Sequence, residues 1–289
     1  MTTTPTFPKE VHGTVEPACV SAPAITGQRK WLYFNEVDPF CLEWLRKLIK
    51  AGSLGDGCID HRSVELVEPA DLAEFHEVHL FAGIGLWAKA LRLADFPPDL
   101  PVWTGSCPCQ PYSVAGKLEG EEDDRHLWPE MARLVAHRTP PILFGEQVAG
   151  GPGLAWCSRV RSDLEALRYA FGASDLPVAS VGAPHARQRL YWGAASVAHS
   201  HETRLQILRH SVIQGSRRRL EGRTVEPPDW DAYACQWSDT NFRRIEPGLR
   251  IVADAGTEAP GRVGRIKAYG NAIQPTLAAA FIRSFTMAC

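Results

Sequence analysis

The feature that most constrains this fold is an apolar run that ends in closely spaced glycines and leads into a helical pattern. The run is Glu77-Val78-His79-Leu80-Phe81-Ala82-Gly83-Ile84-Gly85-Leu86-Trp87, and the helical pattern extends from Ala88 to Leu93. It predicts a strand, a glycine turn and a helix, where the backbone approaches a ligand closely and the helix N-terminus favours polar or negative groups. Because the full dinucleotide fingerprint is absent, these glycines also fit a purely structural turn.

A second apolar segment, Pro101-Val102-Trp103-Thr104, precedes Gly105-Ser106-Cys107-Pro108-Cys109-Gln110-Pro111-Tyr112-Ser113. Pro108 stiffens the backbone that presents Cys109, and Pro111 ends that presentation. The pattern is typical of a nucleophile at the end of a strand, although a lone cysteine also fits a small buried hydrophobe. A nucleophilic thiol needs a positive or dipolar neighbour, because its ordinary pKa of about 8.5 leaves little thiolate at neutral pH.

Two more segments carry groups suited to an active site. Ile142-Leu143-Phe144-Gly145-Glu146-Gln147-Val148 is a buried-type strand with the acid Glu146 near its carboxyl end, where α/β enzymes place their sites. Gly182-Ala183-Pro184-His185-Ala186-Arg187-Gln188-Arg189-Leu190-Tyr191-Trp192 carries two arginines that alternate along an extended segment and so point to one face. Two guanidinium groups on one face suit a phosphate or a base edge. The alternatives without a function in the site are that Glu146 is a solvated acid in a loop, and that Arg187 and Arg189 are a solvated pair on an edge strand.

A fifth segment, Tyr269-Gly270-Asn271-Ala272-Ile273-Gln274-Pro275, leads into a terminal helix predicted from Thr276 to Phe285, and Asn271 fits a cap of that helix. Together and in this order, the five segments resemble the cytosine-5 DNA methyltransferases. The shared signatures are Phe-Ala-Gly-x-Gly, Pro-Cys-Gln-Pro-aromatic-Ser, Glu-x-Val, Arg-x-Arg and Gly-Asn-x-x-x-Pro. The resemblance covers about residues 31–198 and 262–285.

The order of the cofactor-binding segments departs from the usual family order. The ribose-binding and adenine-binding acids normally follow the glycine turn, yet the segment between that turn and the Cys109 strand is too short to hold them. Upstream, Trp31-Leu32-Tyr33-Phe34-Asn35-Glu36-Val37-Asp38-Pro39 leads into a helix predicted over 40–51, and Gly57-Cys58-Ile59-Asp60 forms a short strand. The resemblance therefore implies an α/β, Rossmann-like methyltransferase sheet with permuted strand order, as in a sub-group associated with phages and prophages. A small target-recognition domain is expected beside it.

Three substitutions within the matched motifs concern local geometry. His79 stands where many members carry Asp, His185 replaces a Gln, and Gln147 replaces the usual Asn beside the catalytic acid. The longer Gln147 side chain puts the usual supporting hydrogen bond in doubt. No substitution removes a group that performs chemistry.

The resemblance implies a covalent mechanism on cytosine. Cys109 adds to carbon 6 of the base while Glu146 protonates N3. Arg189 holds O2, and Arg187 contacts the cytosine or the DNA backbone. The base must be flipped out of the duplex. The implied donor is S-adenosylmethionine, which leaves as S-adenosylhomocysteine, without a metal. Its expected binding residues are Phe81 at the adenine, Gly83 and Gly85 under the methionine part, Glu36 at the ribose, Asp60 at the adenine amine, and also Val37 and Asn271.

Contacts to double-stranded DNA are expected from two regions. A closure loop over 114–126 and the segment before it offer Gln110, Ser113, Lys117 and Arg125. The segment 199–262 is rich in arginine and aromatic residues, and we interpret it as the target-recognition domain, with Arg217, Arg218, Arg243 and Arg244 reaching phosphates and guanine edges. A basic insertion with its own small aromatic core is the alternative.

Composition bounds the remaining properties. The 289 residues suffice for a catalytic domain over 29–198, a target-recognition domain over 199–262 and a C-terminal segment over 263–289 that returns to the catalytic domain. The formal net charge of the chain is -2. Residues 1–28 read as a disordered tail. Eight cysteines without zinc spacing, and no apolar run long enough for a membrane, favour a reduced, metal-free, cytoplasmic protein. The resemblance implies a bacterial host or a phage-infected cell, and we expect a monomer.

Three alternatives stay open at this point. An RNA cytosine-5 methyltransferase would keep every catalytic residue and differ within 199–262. A donor whose sulfonium carries a larger group would fit the same mechanism. A DNA-binding protein without turnover is the third alternative, and the presence of both Cys109 and Glu146 speaks against it.

Overall fold

The computed structural model describes residues 31–108, 127–181, 187–207, 209–210 and 272–288, and the backbone of 234–238 and 241–245. The strands are β1 (Trp31–Asn35), β2 (Gly57–Asp60), β3 (Phe75–Leu80), β4 (Val102–Gly105), β5 (Ile142–Val148), β6 (Tyr169–Pro177), β7 (Gln188–Ser196), β8 (Ala234–Ser238) and β9 (Asn241–Ile245). The helices are α1 (Pro39–Lys50), α2 (Leu86–Leu93), α3 (Trp128–Arg138), α4 (Gly151–Ala166) and α5 (Pro275–Ala288). Residues 200–207 are also helical.

Strands β1 to β7 form one mixed sheet in the order β2-β1-β3-β4-β5-β7-β6. Strands β1 to β5 pair in parallel, whereas β7 is antiparallel to both β5 and β6. Strands β1 and β2 precede β3 in the chain but lie on one side of it, and β4 lies on the other side. The predicted α/β sheet with permuted strand order is therefore confirmed.

Helices cover both faces of this sheet and give three layers. On one face, α3 and α4 pack large side chains such as Trp128, Met131 and Trp156 against β3, β4, β5 and β7. On the other face, α1 packs against β1 and β2, while α2 and α5 pack against β4, β5 and β7. Parallel strands covered on both faces are expected to be almost wholly apolar, and β4 is buried at every position.

The C-terminal helix α5 returns to the catalytic half and packs against α2. It begins at Pro275, one residue earlier than predicted, and Gln274 supplies its side-chain cap, since Gln274 Oε1 accepts a hydrogen bond from the Leu277 amide at 2.5 Å. Asn271, which the sequence offered as a cap, lies outside the described residues.

Several predicted regions lie outside the described residues: the tail 1–28, the closure loop 114–126 and most of the segment 199–262. Within 199–262, β8 and β9 pair as an antiparallel hairpin, and Arg243 and Arg244 lie on β9. The domain boundaries stay predictions. The expectation of wholly reduced cysteines is wrong at Cys58, which is disulfide-bonded, whereas Cys107 and Cys157 are free.

Two glycines in the turn after β3 offer a matched test of this packing. Gly85 caps α2 with φ +77°, and a methyl group there would lie 2.5 Å from Leu54 Cδ1 and 3.0 Å from Leu45 Cδ2. Gly83 has φ +57°, but a methyl group there meets nothing within 4 Å. We expect Gly85→Ala to lower the free energy of unfolding by about 3 kcal/mol and Gly83→Ala by about 1 kcal/mol. Urea denaturation measures both, and equal losses would contradict the packing at Gly85.

Candidate active site

The candidate site lies at the carboxyl edge of the parallel strands. Strand β1 ends beside Glu36, β2 ends at Asp60, β3 leads into the glycine turn, and β4 leads into Ser106 and Cys107. Because these strands are parallel neighbours, their carboxyl ends meet at one edge. Four of the predicted site segments are thereby brought together.

The turn after β3 is held by Glu36 from the neighbouring strand. Glu36 Oε2 accepts a hydrogen bond from the Gly83 amide at 2.6 Å, and Oε1 accepts from the Val37 and Asp38 amides at 2.9 and 2.8 Å. Phe81 has a left-handed φ of +53°, which is strained for a residue that is not glycine. The carboxylate predicted at the ribose therefore also fixes the conformation of the glycine turn.

Open space beside this turn fits a nucleotide-like ligand. Among the residues that the structure describes, no heavy atom outside the turn lies within 4 Å of the position that a methyl group on Gly83 would take. Val37 is 58% exposed at the same edge, where its apolar side chain is available for contact with a flat ring. The residues present therefore fit a cofactor with a ribose, an aromatic base and a polar tail.

Asp60 is buried in a network that the sequence analysis missed. Its carboxylate accepts hydrogen bonds from the Tyr33 hydroxyl at 2.7 Å and from Arg62 Nη2 at 2.6 Å, and Arg62 Nη2 also pairs with Asp71 at 2.7 Å. Asn35 Nδ2 donates to the Arg62 carbonyl at 2.7 Å. Contact of Asp60 with an adenine amine stays a prediction, and it requires an acceptor site that these donors leave open.

The electrostatics of Asp60 follow from these contacts. Burial acts to raise the pKa of Asp60, but hydrogen bonds from Arg62 and Tyr33 outweigh it and lower the pKa below its ordinary value of 3.8. The same environment raises the pKa of Tyr33, through burial first and the Asp60 carboxylate second. Asp60 is thus a permanently charged group that anchors the end of β2.

The acid predicted for catalysis, Glu146, is buried near the carboxyl end of β5, at 6% exposure. Arg189 Nε on the adjacent strand β7 lies 2.7 Å from Glu146 Oε1, and Arg187 Nη2 lies 3.9 Å from the same oxygen. Both predicted arginines therefore face this acid, and the solvated alternatives for the acid and the arginine pair are excluded. Strand β7 is also an internal strand of the sheet.

Burial raises the pKa of the Glu146 carboxyl to about 7, although Arg189 and Arg187 both act to lower it. Burial likewise lowers the pKa of Arg187, with Arg189 adding to that effect. A carboxyl group with a pKa near neutrality can hold a proton and release it at the pH of a cell. This arrangement suits a general acid that contacts a ring nitrogen.

Two side chains hold the segment that leads toward Cys109. The indole Nε1 of Trp87 donates to Ser106 Oγ at 3.1 Å, and Gln147 Nε2 donates to the Cys107 carbonyl at 3.5 Å. Gln147 is buried and its Oε1 also accepts from the Val148 amide at 2.9 Å. The extra methylene of Gln147 thus does not abolish its supporting contact, because the side chain reaches across to the neighbouring segment.

The thiol of Cys107 is ill suited to nucleophilic attack. It is buried against the thioether of Met131, with 3.9 Å between the two sulfur atoms, and burial raises the pKa of the thiol. A neutral, buried thiol is a poor nucleophile. Cys109 lies outside the described residues, so its role as nucleophile stays a prediction.

His79, the replacement for the usual Asp, lies within β3 and is buried. Its Nδ1 lies 2.7 Å from Thr104 Oγ1 and its Nε2 lies 2.8 Å from Glu77 Oε1, while its ring stacks on Phe34. The histidine therefore bridges β3 to β4 and β1 in the sheet. It contributes a structural contact beneath the glycine turn.

The remaining predicted site residues have side chains outside the part of the chain that the structure describes. Arg243 and Arg244 are described in their backbone alone, and the other predicted positions lie outside the described residues: Cys109, Gln110, Ser113, Lys117, Arg125, Arg217, Arg218 and Asn271. His185 lies outside them as well. Their functions stay predictions.

Fold and site together define an α/β protein with a glycine turn and a buried acid at the carboxyl edge of its sheet. Residues 77–243, more than half of the chain, match the family model of the C-5 cytosine-specific DNA methylases. The chain belongs to that family.

Individual relatives match over shorter stretches. The chain is 33% identical over 98 residues to the Type II methyltransferase M.HhaI of Haemophilus parahaemolyticus, covering 32% of this chain and 30% of that protein. It is 30% identical over 96 residues to the Type II methyltransferase M.AplI of Arthrospira platensis, covering 32% and 27%. A crystal structure of a Spodoptera frugiperda DNMT2 mutant covers 60% of this chain and 44% of its own, with 14% identity and a TM-score of 0.38. The matched stretches thus span less than a third of each of the two methyltransferases.

Among the residues that the structure describes, no group of three or more His, Cys, Asp and Glu side chains is arranged to hold a metal ion. Across the same described ranges, no helix is long and apolar enough to cross a membrane.

The Asp60 network predicts a stability effect that depends on pH. We expect Asp60→Asn to lower the free energy of unfolding at pH 7.5 by about 3 kcal/mol, because it leaves the Arg62 charge half-buried with one partner fewer. Since the folded-state pKa of Asp60 is lowered, its contribution is present above its unfolded value near 3.8 and is lost as pH falls below it.

Urea titrations of both proteins at several pH values measure this difference, which should shrink in acid. Glu43→Gln is the control, because it removes an exposed carboxylate that pairs with Lys47 and should leave stability unchanged. Unchanged stability of Asp60→Asn, with loss of cofactor affinity alone, would assign Asp60 to ligand binding rather than to anchoring.

Proposed function

We propose that this protein is a DNA (cytosine-5)-methyltransferase that transfers a methyl group from S-adenosylmethionine to carbon 5 of a flipped-out cytosine, through a covalent Cys109 adduct at carbon 6. The observation that carries the proposal is the buried Glu146 with its pKa near 7, faced by Arg189 and Arg187. The family match supports the reaction class.

In the first step, the Cys109 thiolate attacks carbon 6 of cytosine and forms a sulfur–carbon bond, while Glu146 gives its proton to N3. Carbon 5 becomes enamine-like and takes the methyl group. A base, or water, then removes the proton from carbon 5, the bond between carbon 6 and sulfur breaks, and Cys109 leaves as a thiolate. The N3 proton returns to Glu146. We assign Arg189 to orienting the acid, which it contacts, and to holding the O2 of the base.

The cofactor supplies an electrophilic methyl group on a sulfonium, with S-adenosylhomocysteine as product. We assign Glu36 to the ribose hydroxyls, Phe81 and Val37 to the adenine, and Gly83 and Gly85 to the methionine part. The exposed Val37 and the open space beside Gly83 support these assignments. We assign Asp60 to the adenine amine, and Asn271 completes the pocket.

The substrate we infer is double-stranded DNA, held by the loop 114–126 and by the segment 199–262. Relatives named Type II methyltransferases favour a function in restriction–modification, in the cytoplasm of a bacterial or phage-infected cell. The monomeric state and the absence of a metal requirement belong to the same proposal. The target sequence is then mapped by bisulfite sequencing of the DNA modified in the experiment below.

The first experiment incubates the protein with isotope-labelled S-adenosylmethionine and unmethylated genomic DNA, followed by nucleoside mass spectrometry. We expect labelled 5-methyldeoxycytidine from the wild type and none from Cys109→Ser, because the hydroxyl of serine is a far weaker nucleophile than a thiolate. Cys107→Ala is the matched control and should retain transfer, since the Cys107 thiol is buried.

Parallel reactions with total RNA separate the two substrate classes. Labelled cytosine in RNA but not in DNA overturns the DNA assignment, and persistent transfer by Cys109→Ser overturns the covalent mechanism. A cytosine that carries a group heavier than methyl, formed with cellular cofactor extract, would identify a different sulfonium donor.

The pKa of Glu146 predicts a pH dependence of binding to the target cytosine. The protonated acid donates to N3, whereas the carboxylate faces the N3 lone pair and repels it. In the non-reacting Cys109→Ser background, we expect affinity for a duplex with the mapped target to be about tenfold weaker at pH 8 than at pH 6.

Fluorescence anisotropy measures this ratio, and Glu146→Gln in the same background is the control. The glutamine keeps an N–H donor and does not titrate, so its affinity should not change over the same pH range. An equal pH dependence in both proteins would attribute the effect to other groups.

A further inference from the structure

The side chain of Trp87 connects helix α2, which follows the glycine turn, to strands β5 and β7 and to the segment after β4. It is the second residue of α2, the helix that begins at the end of the glycine turn, and it is 3% exposed. A buried tryptophan normally finds a partner for its indole N–H, and here the partner is Ser106 Oγ, at 3.1 Å. Ser106 lies three residues before Cys109 in the chain.

The ring of Trp87 also packs against the strands that carry the acid and its arginines. It stacks on Phe144 of β5, with ring centroids 6.3 Å apart and planes at 13°. Phe144 is two residues before Glu146 and so points to the same face of the sheet. Tyr191 of β7, the register partner of Glu146, meets the edge of the indole at 6.2 Å.

We propose that Trp87 is a positioning residue that couples the cofactor-binding turn to the segment carrying the nucleophile. The proposal rests on the proposed function and goes beyond it, because it assigns the placement of Cys109 to a side chain of the cofactor half. The indole ring is fixed between Phe144 and Tyr191, so its N–H direction is fixed too. A phenylalanine would keep most of this packing but would leave Ser106 without its partner.

The backbone beside Ser106 has a second attachment on the acid side. Gln147 Nε2 donates to the Cys107 carbonyl at 3.5 Å. The segment that leads to Cys109 is thus held from α2 by Trp87 and from β5 by Gln147. A shift of either support would move the thiol relative to the acid, and small misplacements of reacting groups reduce rates strongly.

A double-mutant cycle tests the coupling. A duplex with 5-fluorocytosine at the mapped target traps the covalent adduct, because fluorine at carbon 5 cannot leave as a proton. With S-adenosylmethionine present, we expect Trp87→Phe and Ser106→Ala each to slow adduct formation about tenfold, with cofactor affinity within about twofold of wild type. The double variant should be no slower than either single variant. Ser106→Thr, which keeps the hydroxyl, should retain the rate.

Trp128→Phe is the matched control. Trp128 is as buried as Trp87 and loses the same kind of bond, because its Nε1 donates to Asp163 Oδ2 at 2.8 Å between α3 and α4. This variant should melt at a lower temperature but form the adduct at the wild-type rate. If Trp128→Phe slowed adduct formation as much as Trp87→Phe does, the effect would be a general loss of packing and the proposal would be overturned. Additive effects in the double variant of Trp87 and Ser106, or a wild-type rate in Trp87→Phe, would overturn it as well.

A readout without DNA separates this inference from the proposed function. If the wild type forms no adduct, the proposed function fails, and the coupling is judged on the rate at which iodoacetamide alkylates Cys109, measured by mass spectrometry. Trp87→Phe, Ser106→Ala and the double variant should then change that rate by one common factor, with Trp128→Phe unchanged. If the change in alkylation rate of the double variant equals the product of the changes in the two single variants, the inference is overturned.

Discussion

The parallel pairing of β3 with both of its neighbours is the constraint on which the rest of the site depends. In the register of the sheet, His79 of β3 lies opposite Phe34 of β1 and opposite Thr104 of β4. The same histidine stacks on Phe34 and contacts Thr104 through Nδ1. The three strands therefore end level, so that Glu36, the glycine turn and Ser106 emerge at one edge. Since spatial neighbours fix this arrangement, the chain can supply β1 and β2 before β3 without changing the site.

Two buried acids at this edge show opposite electrostatic behaviour. Asp60 has charged and hydroxyl donors on its carboxylate, which lower its pKa, whereas burial raises the pKa of Glu146 to about 7. A raised pKa means that the contribution of Glu146 to stability is full below its unfolded value near 4.5 and declines as pH rises toward 7, by on the order of 3 kcal/mol. The anchoring acid thus stabilises the fold at neutral pH, while the acid proposed for chemistry opposes it. Such a trade-off is typical of functional groups and not of structural ones.

The sequence predicted what depends on local pattern. The bounds of β2 and β5 match the predicted segments, because short buried strands are marked by continuous apolar residues, and Glu146, Arg187 and Arg189 face one another as alternation along paired strands requires. Contacts between distant segments were beyond local pattern. The Glu36 bond to Gly83 joins residues 47 apart, and the Trp87 bond to Ser106 crosses from a helix to a loop. Arg62, two residues after Asp60, was a visible signal for an ion pair that the sequence analysis did not use.

The position of the Cys107 thiol relative to the sheet excludes it as a partner of Glu146. Cys107 follows β4 with its thiol against Met131 of α3, on the face that α3 and α4 cover, where burial keeps the thiol neutral. Trp87 and Glu146 lie toward the opposite face, since Phe144, two residues before Glu146, packs with α2 and α5. The Cys107 thiol is therefore separated from the acid by the thickness of the sheet, although its carbonyl is within reach of Gln147. The Cys107 thiol is therefore not the nucleophile that the proposed mechanism requires, and Cys109 stays the residue proposed for that function.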